Sequence, residues 1–369
     1  MIYLDHHAAA PMPLAVRQAM QDAADVAWAN PSSTHAAGRA SRKLLEEARE
    51  SIAFVIGAAP ADVVLTGGGT EACNLGARGV AAGCSRLVTS AVEHPAVAQS
   101  VERLRREGCE VVILDALRGN PPSAAELSSY LDPDTAVAIQ WVNHETGTVF
   151  PIDEYASACQ AIGARLFVDA TQALGKLPID VQALGADAVA IAAQKVGGPA
   201  GAGACWVRRD LDVAPVLDGG AQERGRRPGT PDTMSMVGFG AACETVGERV
   251  AAQPAIATMR DALEGRLLEQ GAARNGEGPR VATVANLSLR EWDGAVLVAA
   301  LDLEGICVST GAACSSGLQE PSAVIRAMYP DEQWRAGSAV RISLGIETSA
   351  EDIETTSRTF RRVLARETA

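Results

Sequence analysis

The chain has 369 residues, of which 47% are hydrophobic and 4% aromatic, and its formal net charge at pH 7 is −13. A chain of this length exceeds the size at which a single hydrophobic core usually stops growing, so we expect a large domain and a smaller one. The acidic balance without a block of Lys and Arg argues against nucleic-acid binding, and no apolar stretch is long enough for a membrane-spanning helix.

The first residues and the cysteines indicate a compartment and exclude one kind of site. The N-terminus carries Asp5 where a signal peptide would carry basic residues, so we expect a cytoplasmic protein. None of the eight cysteines forms a C-x-x-C pair, and His6, His7 and His35 show no metal-ligand spacing. We therefore expect no metal site.

Two helices are predicted at the N-terminal end. Apolar residues recur at helical spacing over residues 14–28 and again over residues 44–56. Between them, Asn30-Pro31-Ser32-Ser33 breaks the first pattern and offers cap residues for the second helix.

A glycine-rich turn follows the first strand predicted after these helices. Residues 62–66 form that strand, which runs into Gly67-Gly68-Gly69-Thr70, where another helix begins. Bare N–H groups and the positive end of a helix dipole make such a turn a binding site for phosphate. A plain turn is the alternative, and the Thr70 hydroxyl favours phosphate.

Strands and helices continue to alternate along the chain. The next strands are predicted at residues 86–90, 110–115, 136–142, 166–170 and 188–193, and all but the last two are separated by a helical stretch. This alternation predicts an α/β fold with a mainly parallel sheet covered by helices on both faces. Ligands of such sheets bind beyond the carboxyl ends of the strands.

Polar residues gather at five of these predicted strand ends. They are Gly69, Thr70, Glu93, His94, Asn143, His144, Glu145, Asp169, Gln172, Gln194 and Lys195. Any one of them can be a cap or a turn residue, but their joint position predicts a binding site at this edge of the sheet.

Lys195 ends an apolar run and precedes a glycine cluster, so its amine is predicted to lie where water is scarce. Desolvation favours the neutral amine that forms a Schiff base with an aldehyde cofactor. The alternative is a lysine that extends to solvent from a strand end. Asp169, one strand earlier, favours the cofactor, because a pyridine-type electron sink needs an acid at its ring nitrogen.

His94 lies between a predicted strand and Pro95, in a turn before a helix. There it can stack on a flat ring or relay a proton. The alternative is a histidine that caps the helix.

The last third of the chain contains two loops of interest. The polar range 219–230, with three arginines, is predicted to be an exposed loop that is solvated or serves a neighbouring subunit. A helical region over 231–271 leads to a second domain with a strand at 281–289 and a helix at 294–303. The loop that follows this helix consists of small and polar residues with glycine, a composition typical of mobile loops. Its Cys314 is therefore predicted to be a reactive thiol.

Arg341 interrupts the apolar strand predicted over 339–345. A buried arginine needs a partner, and the bidentate partner is a carboxylate. That carboxylate belongs either to an internal Asp or Glu or to an amino-acid substrate.

These motifs together resemble those of the cysteine desulfurases of NifS/IscS type, within the class V aminotransferase group of pyridoxal-phosphate (PLP) enzymes. The matching stretches keep their order and spacing and are Tyr3-Leu4-Asp5, Asn30-Pro31-Ser32-Ser33 with His35, Gly69-Thr70-Glu71, Glu93-His94, Val168-Asp169-Ala170-Thr171-Gln172, Lys195, Gly229-Thr230, Ser309-Thr310-Gly311-Ala312-Ala313-Cys314-Ser315, Glu320-Pro321-Ser322 and Arg341-Ile342-Ser343-Leu344-Gly345. The resemblance implies the fold type I of PLP-dependent transferases. The large PLP-binding domain would span 14–249, and residues 1–13 and 250–369 would form a smaller α+β domain that carries the cysteine loop.

The resemblance also implies a role for each matched residue. The residues assigned to PLP are Lys195, Gly69, Thr70, His94, His144, Asp169, Gln172, Gln194 and, from the other subunit of a homodimer, Thr230. Those assigned to the substrate L-cysteine are Arg341, Asn143 and His35, and those assigned to catalysis are Cys314, Lys195 and His94. Lys195 would bind the PLP aldehyde, Asp169 would pair with the ring nitrogen, and Gln172 would contact the ring hydroxyl.

The implied reaction converts L-cysteine to L-alanine. Cys314 would attack the substrate sulfur and keep it as a persulfide, which passes to an unidentified sulfur-acceptor protein, as in iron–sulfur cluster assembly.

Two departures from the family pattern concern the cofactor. Family members usually have Ser-x-His-Lys where this chain has Ala192-Ala193-Gln194-Lys195, so we expect weaker or rearranged phosphate contacts. The usual Asn-Asn-Glu reads Asn143-His144-Glu145, which puts His144 near the cofactor or substrate.

Two other functions remain open from the sequence. One is a related PLP-dependent aminotransferase or lyase that acts on another amino acid, with Cys314 incidental. The other is a degenerate paralogue that only binds.

Overall fold

The computed structural model describes residues 1–311 and 320–365. Its strands are β1 (Ile2–Tyr3), β2 (Val63–Thr66), β3 (Arg86–Ser90), β4 (Glu110–Leu114), β5 (Thr135–Gln140), β6 (Arg165–Asp169), β7 (Ala188–Ala192), β8 (Gly203–Val207), β9 (Ala273–Arg274), β10 (Val284–Ser288), β11 (Ile306–Cys307) and β12 (Ala339–Ser343). Its helices are α1 (Leu14–Ala27), α2 (Ala36–Val55), α3 (Gly69–Ala81), α4 (Pro95–Arg106), α5 (Ala124–Ser128), α6 (Ile152–Ile162), α7 (Val181–Leu184), α8 (Thr233–Cys243), α9 (Val246–Ala251), α10 (Gln253–Leu268), α11 (Gly294–Leu303), α12 (Ala323–Met328), α13 (Trp334–Ser338) and α14 (Ala350–Leu364).

The main sheet has seven strands in the order β2-β8-β7-β6-β5-β3-β4. The pairs from β7 to β4 are parallel, as predicted. The sequence pattern did not reveal β8, which lies antiparallel between β7 and β2. It also missed α7, a four-residue helix between β6 and β7. The prediction of a mainly parallel α/β sheet is confirmed, with an antiparallel edge added.

Burial on both faces explains why the central strands are apolar throughout. Every residue of β7 is fully buried, and the side chains from Ala188 to Ile191 alternate between two different apolar clusters on the two faces of the sheet. Helix α3 covers one face so closely that a Cβ on Gly76 would lie 2.4 Å from the ring of Phe167. The glycine therefore allows the helix to approach the sheet.

The start of α2 corrects one prediction. Its N-cap is His35, whose Nδ1 accepts a hydrogen bond from the Gly38 N–H at 3.2 Å. Asn30 does not cap this helix; its side chain accepts from the Ser32 N–H at 2.9 Å and closes the preceding turn. A polar side chain can either cap a helix or close a turn by bonding to a nearby main-chain N–H, so the sequence alone does not separate the two.

The N-terminal strand pairs with the C-terminal part of the chain. Strand β1 pairs in parallel with β11, and β12, β10 and β9 form a small antiparallel sheet. Leu4 packs in one buried cluster with Leu263 and Leu287. If residues 1–13 and 250–369 together form one domain and 14–249 the other, the N-terminal strand must pack against the C-terminal part of the chain, as it does. The boundaries themselves stay a prediction. Among the described helices, none combines the length and the apolar character needed to cross a bilayer.

Candidate functional site

A cavity of about 310 Å³ opens at the carboxyl ends of β5, β6 and β7. The sequence-predicted residues that line it are Gly69, Thr70, His94, His144, Asp169, Gln172, Gln194, Lys195 and Arg341. They come from different loops, and the parallel strands bring them together because their carboxyl ends share one edge of the sheet.

Lys195 lies one turn beyond β7, half-buried at the cavity wall. Its Nζ donates hydrogen bonds to the main-chain carbonyl oxygens of His7 and Ala8, at 2.9 and 2.8 Å. The segment after β1 therefore closes one side of the site and holds the amine through neutral acceptors.

The N-terminus of α3 faces the same cavity. Gly68 caps this helix with φ of 132°, a conformation open to glycine and strained for other residues. A Cβ on Gly69 would lie 3.0 Å from Cβ of Ala192, so the helix start lies directly against the end of β7. The carboxylate of Glu71, in the first helical turn, accepts from the Gly67 N–H and pairs with Arg227 at 2.9 Å. That pairing offsets a negative charge that would otherwise repel an anion at the helix start.

Asp169 ends β6 with 5% of its surface exposed. Its Oδ1 accepts from the Thr171 N–H at 2.9 Å, and the Thr171 hydroxyl lies beside the Cys73 thiol. Cys73 and Gln140 also line the cavity beside this carboxylate. The sequence analysis did not identify these two, because a cysteine in a helix and a glutamine in a strand carry no motif.

His94 both caps a helix and lines the cavity. Its Nδ1 accepts from the Ala96 N–H at 3.1 Å at the start of α4. Because that nitrogen is the acceptor, a neutral ring carries its proton on Nε2. Burial lowers the pKa of His94, Asp169 opposes this, and Lys195 adds to it. The two interpretations of His94 from the sequence are therefore compatible.

His144 lies edge-on to His94, with ring centroids 5.0 Å apart and an interplanar angle of 80°. Burial, followed by the charges of His94, Arg341 and Lys195, lowers the pKa of His144 well below its usual value. Its buried Nδ1 has no hydrogen-bond partner among the described residues, and the same is true of the buried Oε1 of Gln194. Both residues line the cavity, so both of these departures from the family pattern leave a buried polar atom without a partner in its wall.

Arg341 pairs with an internal carboxylate, and one of its N–H donors has no partner among the described residues. Its Nη2 donates to Asp5 Oδ1 at 2.7 Å, and its Nη1 donates to the main-chain oxygen of His144 at 3.0 Å. Its Nε is buried and has no hydrogen-bond partner among residues 1–311 and 320–365. The residue is 3% exposed and lines the cavity, so this unsatisfied donor belongs to a side chain of the cavity wall.

Glu145 lies beneath this wall of the cavity. Its Oε2 accepts from the Ser322 hydroxyl at 2.6 Å, and Gly311 packs so closely that a Cβ there would be 2.5 Å from the same oxygen. Burial raises the pKa of Glu145 to about 7, against the Ser322 hydrogen bond and the charge of Arg341. Cys314, the predicted reactive thiol, lies outside the described residues.

Three predicted site residues are not brought to the cavity of the single chain. Asn143 is fully buried, and its amide is used by Val92, Gln140, Glu145 and Thr146. His35 and Thr230 are exposed elsewhere on the chain. The structure thus gives Asn143 a role in shaping the turn after β5.

The chemistry of the assembled groups suits an aldehyde cofactor that carries a ring and a phosphate. The cavity combines an amine, a buried carboxylate, a histidine ring and a helix N-terminus, which match an aldehyde carbon, a basic ring nitrogen, a flat ring and a phosphate. Two lining residues, Gln194 and His144, also have buried polar atoms without partners among the described residues. In the described part of the chain, no group of three His, Cys, Asp or Glu residues is arranged to hold a metal.

Comparisons with known proteins agree with this geometry. Residues 2–355 match the family described as "Aminotransferase class-V". An "IscS-like cysteine desulfurase" of Mycobacterium tuberculosis is 39% identical over 370 residues, covering 96% of this chain and 94% of that protein. The "Putative cysteine desulfurase IscS 1" of Bacillus subtilis is 35% identical and covers 99% of both. A solved structure titled "NIFS-LIKE PROTEIN" superimposes with a TM-score of 0.91 at 27% identity, over 99% of both chains.

Proposed function

We propose the residue roles below from the premise that this chain belongs to the aminotransferase class-V family and is a cysteine desulfurase. The enzyme removes sulfur from L-cysteine and releases L-alanine. The proposal concerns which side chains of this protein bind the cofactor and substrate and which thiol takes the sulfur.

PLP is the proposed cofactor, and the donor set of the cavity supports it. Lys195 would hold its aldehyde, Asp169 its ring nitrogen, and Gln172 its ring hydroxyl. Its phosphate would bind at the start of α3, at Gly69 and Thr70, with the amide of Gln194. When bound, PLP supplies an electron sink for the electron pair that a broken C–S bond leaves on carbon.

The histidines and the N-terminal segment would control protons around the reacting atoms. His7 O and Ala8 O accept from the Lys195 amine and hold it in the cavity wall. The neutral ring of His94 carries its proton on Nε2, so it would donate a hydrogen bond from this nitrogen to the reacting groups. His144 remains neutral because of its burial, and it can accept or donate one hydrogen bond without adding a charge.

Arg341 would bind the substrate carboxylate. Its Nη2 remains on Asp5 while its buried Nε is available to one carboxylate oxygen. This arrangement orients the substrate and does not require Arg341 to leave its internal partner.

Cys314 is the proposed sulfur acceptor within the enzyme. Its thiolate attacks Sγ of the bound L-cysteine, so that an S–S bond forms and the substrate C–S bond breaks. The carbon retains the electron pair, takes up a proton and leaves as L-alanine. The outer sulfur of the persulfide then passes to an acceptor protein.

We also propose that the enzyme is a homodimer whose phosphate site is completed by Thr230 of the second copy. Two ion pairs support this, because they fix the 219–230 loop while Thr230 itself is exposed. Glu223 forms a pair with Arg49 at 2.6 Å, and Arg227 pairs with Glu71. A cytoplasmic location and a place in iron–sulfur cluster assembly remain predictions from the sequence.

The meeting of Lys195, Asp169, His94 and Arg341 in one cavity carries this proposal. The test is to load the purified chain with PLP, supply L-cysteine, and measure alanine and sulfide with and without a thiol reductant. We expect alanine from L-cysteine, with free sulfide in the presence of reductant. A preference for another amino acid, with no sulfur released, would contradict the proposal.

A further inference from the structure

Two of the three lysines of this chain lie side by side at the candidate site. Lys176 is 8% exposed and shares the lining of a small cavity with Lys195. The sequence analysis gave it no role, since a lysine after a glycine in a turn is usually solvated.

No carboxylate of the described residues lies within ion-pairing distance of Lys176. The charged groups that face it are Lys195, Arg249 and Arg341, all of them basic. Burial, followed by these three charges, lowers the pKa of Lys176 to about 7. A buried amine among cations is costly, so its retention calls for a specific contact.

That contact is with Gln172. Lys176 Nζ donates to Gln172 Oε1 at 3.0 Å, and Gln172 Nε2 donates to the carbonyl oxygen of His7 at 2.9 Å. A charged amine can only donate hydrogen bonds, and a neutral amine still has hydrogens to donate. A turned-over amide would put its oxygen against the His7 carbonyl oxygen and its NH₂ group against the Lys176 amine, so the two contacts together favour one orientation, with the oxygen on Lys176 and the NH₂ group on His7.

We propose that Lys176 is a positioning residue that fixes the amide of Gln172 so that it offers a donor, and never an acceptor, to the cofactor. The inference rests on the proposed function, in which Gln172 meets the ring hydroxyl of PLP. An N–H donor at that point stabilises the deprotonated oxygen. Without Lys176 only the His7 contact holds the amide, so it turns over more readily and presents its carbonyl oxygen, which repels that form.

The test is the pH midpoint of the visible absorption change of the PLP-loaded protein, which does not depend on turnover. Lys176→Met, which keeps the volume and removes the donor, is expected to raise the midpoint by about 1 unit, the order of one hydrogen bond to an ionised oxygen. Lys176→Arg keeps a donor and should restore the wild-type midpoint. Lys43→Met, on the exposed face of α2, is the matched control and should change nothing.

A double-mutant cycle separates positioning from a simple charge effect. In a Gln172→Ala background, Lys176→Met should shift the midpoint no further, because there is no amide left to orient. An equal shift in both backgrounds would mean that Lys176 acts on Lys195 by its charge, and this would overturn the inference. An unchanged midpoint in Lys176→Met would overturn it as well.

Two further outcomes separate this inference from the proposed function. If Lys176→Met does not fold, Lys176→Gln, which is too short to reach Gln172, carries the same expectation. Wild-type protein that takes up no PLP would contradict both the proposed function and the inference. Normal desulfuration by a Lys176→Met enzyme with an unshifted midpoint would contradict the inference alone.

Discussion

Lys195 Nζ lies 2.9 Å from the main-chain carbonyl oxygen of His7, which also accepts from the Gln172 amide. The three residues are far apart in sequence, and the contact joins the loop after β7 to the segment after β1. A Schiff base on Lys195 would therefore form at an amine that neutral main-chain oxygens already hold in position.

Lys195→Arg tests the amine. The variant keeps a cation but cannot form a Schiff base, so PLP should be lost on gel filtration and its visible band should be absent. Alanine release should fall by at least about 1000-fold, because covalent catalysis through this amine is removed. A variant that retains both the band and the activity would contradict the assignment of Lys195.

Arg341→Lys tests substrate recognition. We expect KM for L-cysteine to rise about 10- to 100-fold, since one charge-assisted hydrogen bond to the carboxylate is worth about 1.5 to 3 kcal/mol. The PLP absorption should remain, because Arg341 would contact the substrate and not the cofactor. The matched control is Arg266→Lys, because Arg266 on α10 forms an exposed pair with Glu354 on α14. An unchanged KM in Arg341→Lys would show that the substrate carboxylate binds elsewhere.

The fold was more predictable from the sequence than the details of the site. Hydrophobic periodicity identified the strands that end at Asp169 and near Lys195, and parallel-sheet geometry then predicted that these residues meet. The sequence analysis did not predict strand β8, because its small residues follow the glycine cluster and resemble a loop. Its assignment depends on pairing with β2 and β7, which no local pattern encodes.

Side-chain partners were the least predictable part. The sequence left Arg341 with either an internal or a substrate carboxylate, and the structure gives it Asp5 together with an unpartnered buried Nε. Asn143 was assigned to substrate, but its amide is used up by the turn that it organises. Such contacts join residues more than 100 positions apart, or compete with local turns, so spacing alone cannot decide them.

Glu93 gives a prediction about stability and pH. Burial raises its pKa to about 8, from an ordinary value of 4.5, although the Ser90 hydroxyl donates to it at 2.5 Å. The folded state then binds a proton that the unfolded state has lost, so this group stabilises the fold at low pH. That contribution disappears as the pH rises from about 4.5 to about 8.

Glu93→Gln should remove this dependence. Its thermal midpoint should exceed that of the wild type by a few degrees at pH 8 and differ little at pH 5. Glu50→Gln, on the exposed face of α2, should behave like the wild type at both values. Equal effects of Glu93→Gln at pH 5 and pH 8 would show that Glu93 is not protonated in the folded protein.

The homodimer and Thr230 can be tested together by mixing two chains that each carry one substitution. Thr230→Ala alone should weaken PLP binding about 10-fold, the order of one hydrogen bond. In a hybrid of Lys195→Ala and Thr230→Ala chains, one site would contain an intact Lys195 and the partner's intact threonine. That site should bind PLP with wild-type affinity, whereas hybrids with no wild-type site would show that Thr230 serves its own chain.

The mass of the intact protein after anaerobic incubation with PLP and L-cysteine tests the central claim most directly. We predict that the wild-type chain and a Cys109→Ala control gain the mass of added sulfur on Cys314 and release alanine, while Cys314→Ala gains none. Equal sulfur uptake by Cys314→Ala, or a wild-type chain that releases no alanine, would contradict the account.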